Sequence, residues 1–419
     1  MSQMLPREMN YEETYSQIPD GLVSTQITLS RVNGSTFSQS SVIQFDLLSR
    51  GMFVPDSLFI RYKWTTTSAV GGSSFLGTPV YAPFARLETI VGSQIVETIN
   101  QYNQVANTMV NLTQSVGSKY GMMAAYGYAG LSATPAMSEM DGRLLATAVT
   151  DTGSFSGLLP GILSNSVKLL PLFATGQVRV QLTLDTLNNI FGTTQLPTNL
   201  VLSNVELIYT MVDPGQRVEQ YVRGLGTFHI KSQSFANSSV SLASGTSGTI
   251  SLVFNQRLAS IKSAFILFQP LTTGTNKTFD SIDPTASNGE ISLNIGGISY
   301  PARPLSTLNN KSGILQYLRN AVGSLYDKDN NMAINNVEWN YLPTTATTPT
   351  EPSKFIVGID LERLHTDSLL SGTSTENSAI TLLLQSNTAT NQIYNVNLIL
   401  AYDAIIEIDV NSRQVSIKQ

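Results

Sequence analysis

Asp151-Thr152-Gly153-Ser154 is the first place in this 419-residue chain where chemistry could sit. The run matches the short signature of aspartic proteases. That reaction needs two carboxylates sharing one proton, because two like charges about 3 Å apart cannot both ionise. A two-lobed protease of this length would carry a second Asp-Thr-Gly or Asp-Ser-Gly, and the sequence has none. The segment is therefore expected to be a polar turn in a surface loop. A second candidate, Asp327 to Glu338, sets the oxygen-bearing side chains of Asp327, Asp329, Asn331 and Glu338 at calcium-loop positions. Met332 stands where the sharp turn of such a loop needs glycine, and Trp339 to Pro343 does not continue as a helix. A solvated turn is expected, with a cation at those four residues left open.

The remaining chemistry is sparse. His229 and His365 are the only histidines, and neither has a partner histidine nearby in sequence, so both are expected in structural hydrogen bonds. There is no cysteine, which removes disulfides, thiolate metal sites and cysteine nucleophiles. Gly-x-Ser-x-Gly and the phosphate-binding P-loop are missing. The Asn-x-Ser/Thr triplets beginning at Asn33, Asn111, Asn237, Asn276 and Asn310 follow from a chain rich in Asn, Ser and Thr. No catalytic, cofactor-binding or metal-ligating residue is assigned, and no enzyme is expected.

The composition points to another kind of work. Hydrophobic residues make up 42% of the chain, enough for a sizeable core, while charged residues make up only 13%, about half the roughly 25% usual in soluble domains. Neutral Ser, Thr, Asn and Gln take their place. Such a surface repels identical neighbours weakly, which suits a protein packed against copies of itself. The net charge of −5 and the lack of any basic run argue against binding nucleic acid by counterion release. The first twenty residues carry Arg7, Glu8, Glu12 and Glu13 where a secretory signal needs an apolar stretch. No run approaches the roughly 18 apolar residues of a membrane helix. A soluble protein made in the cytosol is expected.

Period-two alternation dominates and defines a mainly β chain. Val178, Val180, Leu182 and Leu184 alternate with polar residues, as do Val205 to Met211, Ile291 to Ile295, Val396 to Tyr402 and Ile406 to Val410. Successive side chains point to opposite faces of a strand, so each segment buries one face. Two stretches carry helical periodicity instead: Ile99 to Leu112, and Ile314 to Leu325 with Ser312 as N-cap. Each follows a hairpin, one turning at Gly92-Ser93 and the other at Gly296-Gly297, 204 residues on. Asp56 to Tyr62 resembles Ser260 to Ile266 at the same offset; Val178 to Leu184 answers Ala379 to Gln385, and Val205 to Val212 answers Val396 to Asp403. Matches in one order indicate two copies of one β-sandwich, each with an inserted helix and a long loop. The expected organisation is an arm over 1–20, sandwiches over 21–213 and 214–410 meeting at the Asp213-Pro214-Gly215 turn, and a tail over 411–419. The long loops, about Thr113 to Ser166 and Tyr326 to Ser353, are of a length that usually carries function.

Several of these segments resemble double jelly-roll major capsid proteins of the adenovirus and tectivirus type, nearest to those of Polinton-like elements and related eukaryotic DNA viruses. Pro83 to Glu97 followed by the helix with Tyr102 and Asn103, and Leu170-Pro171-Leu172 leading into the strand through Leu184, are similar to the first jelly roll of that family. Ile295 to Pro304, Phe355 to Glu362 and Leu370 to Thr375 resemble the second. The resemblance covers roughly residues 20 to 410. It implies two eight-stranded antiparallel jelly rolls standing upright in an icosahedral shell, and homotrimers whose six lobes make a pseudo-hexameric capsomer. It places the long loops at the outer end and the terminal arms beneath, with a penton or minor capsid protein as partner. Two alternatives stay open. One is a receptor- or carbohydrate-binding spike that uses the aromatic stretch Tyr120 to Tyr128. The other is a tandem sandwich enzyme acting on glycans, which would need a pair of carboxylates in a cleft.

Overall fold

The computed structural model describes residues 22–67, 74–128, 143–144, 150–191, 196–271, 281–323, 332, 334, 339, 354–362, 370–390 and 392–418. The first half contributes eight principal strands: β1 (Val23–Ser30), β2 (Val42–Asp46), β3 (Phe59–Thr67), β4 (Phe84–Val91), β5 (Gln94–Asn100), β6 (Thr150–Leu158), β7 (Val178–Leu184) and β8 (Asn199–Asp213). The second contributes β9 (Thr227–Leu242), β10 (Gly248–Phe254), β11 (Ile261–Leu271), β12 (Gly289–Ile295), β13 (Ile298–Ser306), β14 (Ile356–Asp360), β15 (Ile380–Ser386) and β16 (Ile393–Asp409).

The pairing repeats. In the first half, β1-β8-β3-β6 form one antiparallel sheet and β2-β7-β4-β5 the other; short strands at 36–37, 52–53 and 170–171 extend the first sheet. In the second half the orders are β9-β16-β11-β14 and β10-β15-β12-β13. Every strand of one list has its counterpart eight strands later, so the chain is two tandem jelly rolls with one topology. Alternation explains why. In β7, Val178, Val180, Leu182 and Leu184 are buried while the residues between them are half-exposed, and β15 does the same with Ile380, Leu382 and Leu384. Each strand thus seals one face of a sandwich.

The hairpins turn where expected. Gly92 lies at φ 62°, and Gly296 and Gly297 at 59° and 84°, the positive values that two-residue hairpin turns require and that cost glycine little. The inserted helices also form: α1 (Tyr102–Thr113) and α3 (Lys311–Val322), with α2 (Gly215–Gly224) between the two halves. α1 is buried along almost its whole length, including Asn103, Gln104, Asn107 and Asn111.

Five details depart from the sequence-based expectation. The first helix begins at Tyr102, because Ile99 still belongs to β5. The second is capped by Asn310, whose side chain accepts from Gly313 N at 3.1 Å, so Ser312 lies inside the helix. Beyond Pro214 the chain does not simply turn but forms α2, with Gly215 at φ 75°. Val396 to Tyr402 and Ile406 to Val410 do not make two strands: β16 runs unbroken through Asp403. Residues 411–419, expected as a tail, hold β17 (Gln414–Lys418), which pairs with the end of β16. The arm 1–20 lies outside the described residues.

α3 packs on β14 through a close approach at Gly358. A Cβ there would come within 2.7 Å of the Leu318 Cα and 3.0 Å of the Ala321 Cβ. Backbone cannot yield as a flexible side chain can. Gly358→Ala is expected to destabilise the protein by about 1–3 kcal/mol, seen as a lowered thermal midpoint, whereas Gly117→Ala, where the nearest atom is 3.9 Å away, changes stability little.

Candidate assembly interface

The two jelly rolls meet where β5 of the first lies against β9 of the second. A register shift between Thr89 and Ile90 interrupts the alternation of β5, so adjacent Val96 and Glu97 are both buried, at 5% and 2% exposure. The Glu97 carboxyl faces the second jelly roll. Its Oε1 accepts from Ile162 N at 2.7 Å and from the Ser234 hydroxyl of β9; its Oε2 accepts from Thr89 Oγ1 at 3.1 Å. Burial raises the Glu97 pKa to about 7, and the three donors offset only part of that rise.

The rest of the seam is polar and backbone-rich. Ser232 Oγ donates to the Ile162 carbonyl at 2.5 Å, Val167 N to the Lys231 carbonyl at 3.1 Å and Asn165 Nδ2 to the Gln233 carbonyl at 3.2 Å. Asn237 Nδ2 donates to Gln101 Oε1 at 2.8 Å. Ile406, Val415 and Ile417 of β16 and β17 add an apolar side, facing Val96, Ile162 and Leu163. An open cleft of about 160 Å3 also straddles the halves, between Gln101, Asn103, Gln104 and Asp185 on one side and Gln269 and Asn395 on the other. Its one carboxylate, Asp185, accepts from Asn103 Nδ2, Asn189 Nδ2 and Thr186 N. A hydrolase of glycans needs two carboxyl groups flanking the bond, and this cleft does not supply them.

The residues singled out for chemistry are dispersed. Asp151 to Ser154 do not form a turn: they lie within β6, opposite Lys63 to Thr66 of β3. Gly153 is there for space, since a Cβ would come within 2.8 Å of the Trp64 indole. His229 lies on β9, across from Glu407, with Nε2 3.4 Å from its carboxylate. His365, Asp327, Asp329, Asn331 and Glu338 lie outside the described residues. Among the described residues no group of three His, Cys, Asp or Glu side chains could hold a metal ion, and no helix is long and apolar enough to cross a membrane. Two rings of the aromatic stretch, Tyr126 and Tyr128, are turned inward rather than presented as a binding surface. Val116–Gly121 and Met123–Tyr126 are short helices, and Tyr126 and Tyr128 are only 1% and 5% exposed. Tyr126 packs against Tyr81 and Tyr128, and Lys119 Nζ lies 5.0 Å over the Tyr128 ring.

What this architecture defines is a double jelly roll: two sandwiches of identical strand order, joined in one chain and sharing a buried seam. Solved structures similar to this chain include viral major capsid proteins. The Faustovirus major capsid protein superposes with a TM-score of 0.63 at 8% identity, covering 97% of this chain and 95% of that one. PBCV-1 VP54, fitted into a reconstruction of the virophage Sputnik, gives 0.61 at 11% identity over 97% and 99%. The mavirus major capsid protein gives 0.55 at 9% identity over 100% and 95%. No protein-family model matches the sequence, and no curated protein matches it. The chain has the double jelly-roll fold of these major capsid proteins over both halves.

Neither Glu97 nor its partner Ser234 stood out in the sequence, because a lone Glu in an alternating strand is ordinarily exposed. Its raised pKa fixes the sign of a pH effect. Between the ordinary value of 4.5 and about 7, the folded protein binds a proton that the unfolded chain has released. Stability from this group is therefore full below pH 4.5, falls as the pH rises towards 7, and is flat above. Glu97→Gln imitates the neutral acid. Its stability relative to wild type should rise by up to about 3 kcal/mol between about pH 5 and about pH 8, measured by denaturant unfolding at each pH.

Proposed function

We propose that this chain is a viral major capsid protein, a structural rather than enzymatic component, whose homotrimers tile an icosahedral shell as pseudo-hexameric capsomers. The observation that carries the reading is the strand-for-strand repetition within one chain, together with a fold shared with major capsid proteins over the full length of both partners. Two similar lobes per chain let three chains imitate sixfold packing. The low charge density supports it, since identical surfaces must approach closely and often. In this reading the jelly rolls span 21–213 and 214–410, the arm 1–20 serves contacts beneath the shell, and the chain resides in the virion after synthesis in the cytosol. Partners are further copies of itself and a penton or minor capsid protein; direct contact with nucleic acid is not part of the role. Against the spike alternative, Tyr126 and Tyr128 of its proposed surface are buried; against the glycan-enzyme alternative, the described cleft between the halves offers one carboxylate, Asp185.

Sedimentation at micromolar concentration should give a trimer, and negative-stain images should show six-lobed particles with a threefold axis. A stable monomer under those conditions would overturn the proposal.

A further inference from the structure

We propose that the cleft between the two jelly rolls is a binding site for a sugar residue at the end of an uncharged glycan. The inference goes beyond the capsomer reading. It rests on that reading only for the direction in which the cleft faces and the number of copies displayed together.

The cleft holds about 160 Å3 and is walled by both halves. Six of its side chains are amides: Gln101, Asn103 and Gln104 at the start of α1, Asn189 after β7, Gln269 near the end of β11 and Asn395 early in β16. Two of them are left unsatisfied. The side-chain amide nitrogens of Gln104 and Gln269 make no hydrogen bond, although these residues are only 4% and 8% exposed. A buried donor without an acceptor is costly, and folded proteins keep few of them. Here one comes from each jelly roll, and both belong to the same cleft.

Neighbouring groups hold these amides in place. Gln269 Oε1 accepts from Asn397 Nδ2 at 2.8 Å, and Asn397 Oδ1 accepts from Asn395 Nδ2 at 3.3 Å. With its oxygen engaged, Gln269 has only its NH2 group left to offer. In the first jelly roll, Asn103 Oδ1 accepts from Gln104 N at 2.9 Å, and Asn103 Nδ2 donates to Asp185 Oδ2 at 3.1 Å. The polar groups are therefore ordered before any ligand arrives, which lowers the entropic cost of binding.

The lining selects the ligand. A side-chain amide presents a donor and an acceptor side by side, and a sugar hydroxyl both donates and accepts, so the two are complementary. Leu76, Pro270 and Leu271 add an apolar strip against which the C–H face of a sugar ring can lie. Among the described residues that line the cleft none is Lys or Arg, and Asp185 contributes negative charge. Phosphate, sulfate and sialic acid are thereby disfavoured. No aromatic ring is among those residues either, so a flat heterocycle finds nothing to stack on. With one carboxylate in place of two, the site holds a sugar without cleaving it.

α1 leads from the cleft towards the long loop that begins near Thr113. The cleft thus lies at the loop-bearing end of the sandwiches, which the capsomer reading turns outward. A shell would display many such clefts at once, so that weak single sites add up to firm attachment.

Full-length protein applied to a glycan array is expected to bind neutral chains and pass over sialylated ones. Gln104→Leu and Gln269→Leu each remove an unpaired donor with little change in volume. Each should weaken binding of the strongest array glycan by about tenfold in calorimetric titration, while the thermal midpoint stays level or rises. Gln414→Leu, the same exchange at an exposed position of β17, should leave binding unchanged. Protein that binds no neutral glycan, that prefers sialylated chains, or that binds equally well after both cleft substitutions would overturn the inference. Sedimentation keeps the two readings apart. Trimers that bind no glycan would overturn this inference alone, and monomers that bind through the cleft would overturn the capsomer reading alone.

Discussion

At the centre of the seam that joins the two jelly rolls lies one buried carboxyl group, pinned by donors from both halves. Glu97 takes hydrogen bonds from a strand neighbour, a loop of its own jelly roll and a serine of the other. Removing an ionisable group from water is costly unless its lone pairs are filled, and filled lone pairs demand fixed positions for the groups that fill them. The two sandwiches are thereby set in one relative orientation. An interior seam of this kind supplies the constraint, with the apolar contacts of Ile406, Val415 and Ile417 beside it.

The asymmetries between the halves follow from what each strand must cover. β9 runs for 16 residues and β16 for 17, against 8 for β1 and 15 for β8. The longer β9 pairs with β16 along its whole length while its middle is covered by the first jelly roll. β1 pairs with β8, the counterpart of β16, and most of its residues are exposed. Asp403 illustrates how far the second half is buried: it lies mid-strand at 1% exposure, accepting from Ser260 Oγ at 3.0 Å with Lys231 Nζ at 3.4 Å.

Much of the fold was legible because one-sided burial writes itself as alternation. β7, β12 and β15, both glycine hairpins and the doubled order of elements were readable for that reason. The centre of β16 was not. Val396 through Leu400 are all fully buried, so the polar and apolar residues there no longer mark separate faces, and Asp403 looked like a break between two strands. α2 was hidden behind Pro214-Gly215, a strong turn signal, and its own sequence, GQRVEQYVRG, is mostly polar. Asp151 to Ser154 were misplaced because small polar residues suit a turn, although the glycine serves the Trp64 ring packed against it. The seam lay beyond sequence reasoning altogether: Glu97, Ser232 and Ser234 are ordinary residues in alternating strands until strands 137 residues apart are brought together.

The short helix α2 has a kinetic meaning. Each free body that joins an assembly surrenders translational and rotational freedom, an expense of roughly 4–15 kcal/mol. Because α2 tethers the second lobe to the first, the junction between the two lobes of a chain is intramolecular and forms at the high local concentration that a short tether enforces. Only junctions between chains then depend on diffusional encounter. For the proposed trimer, two lobes in one chain halve the order of the assembly reaction, three bodies in place of six, so it would nucleate at protein concentrations where six separate lobes would remain dispersed.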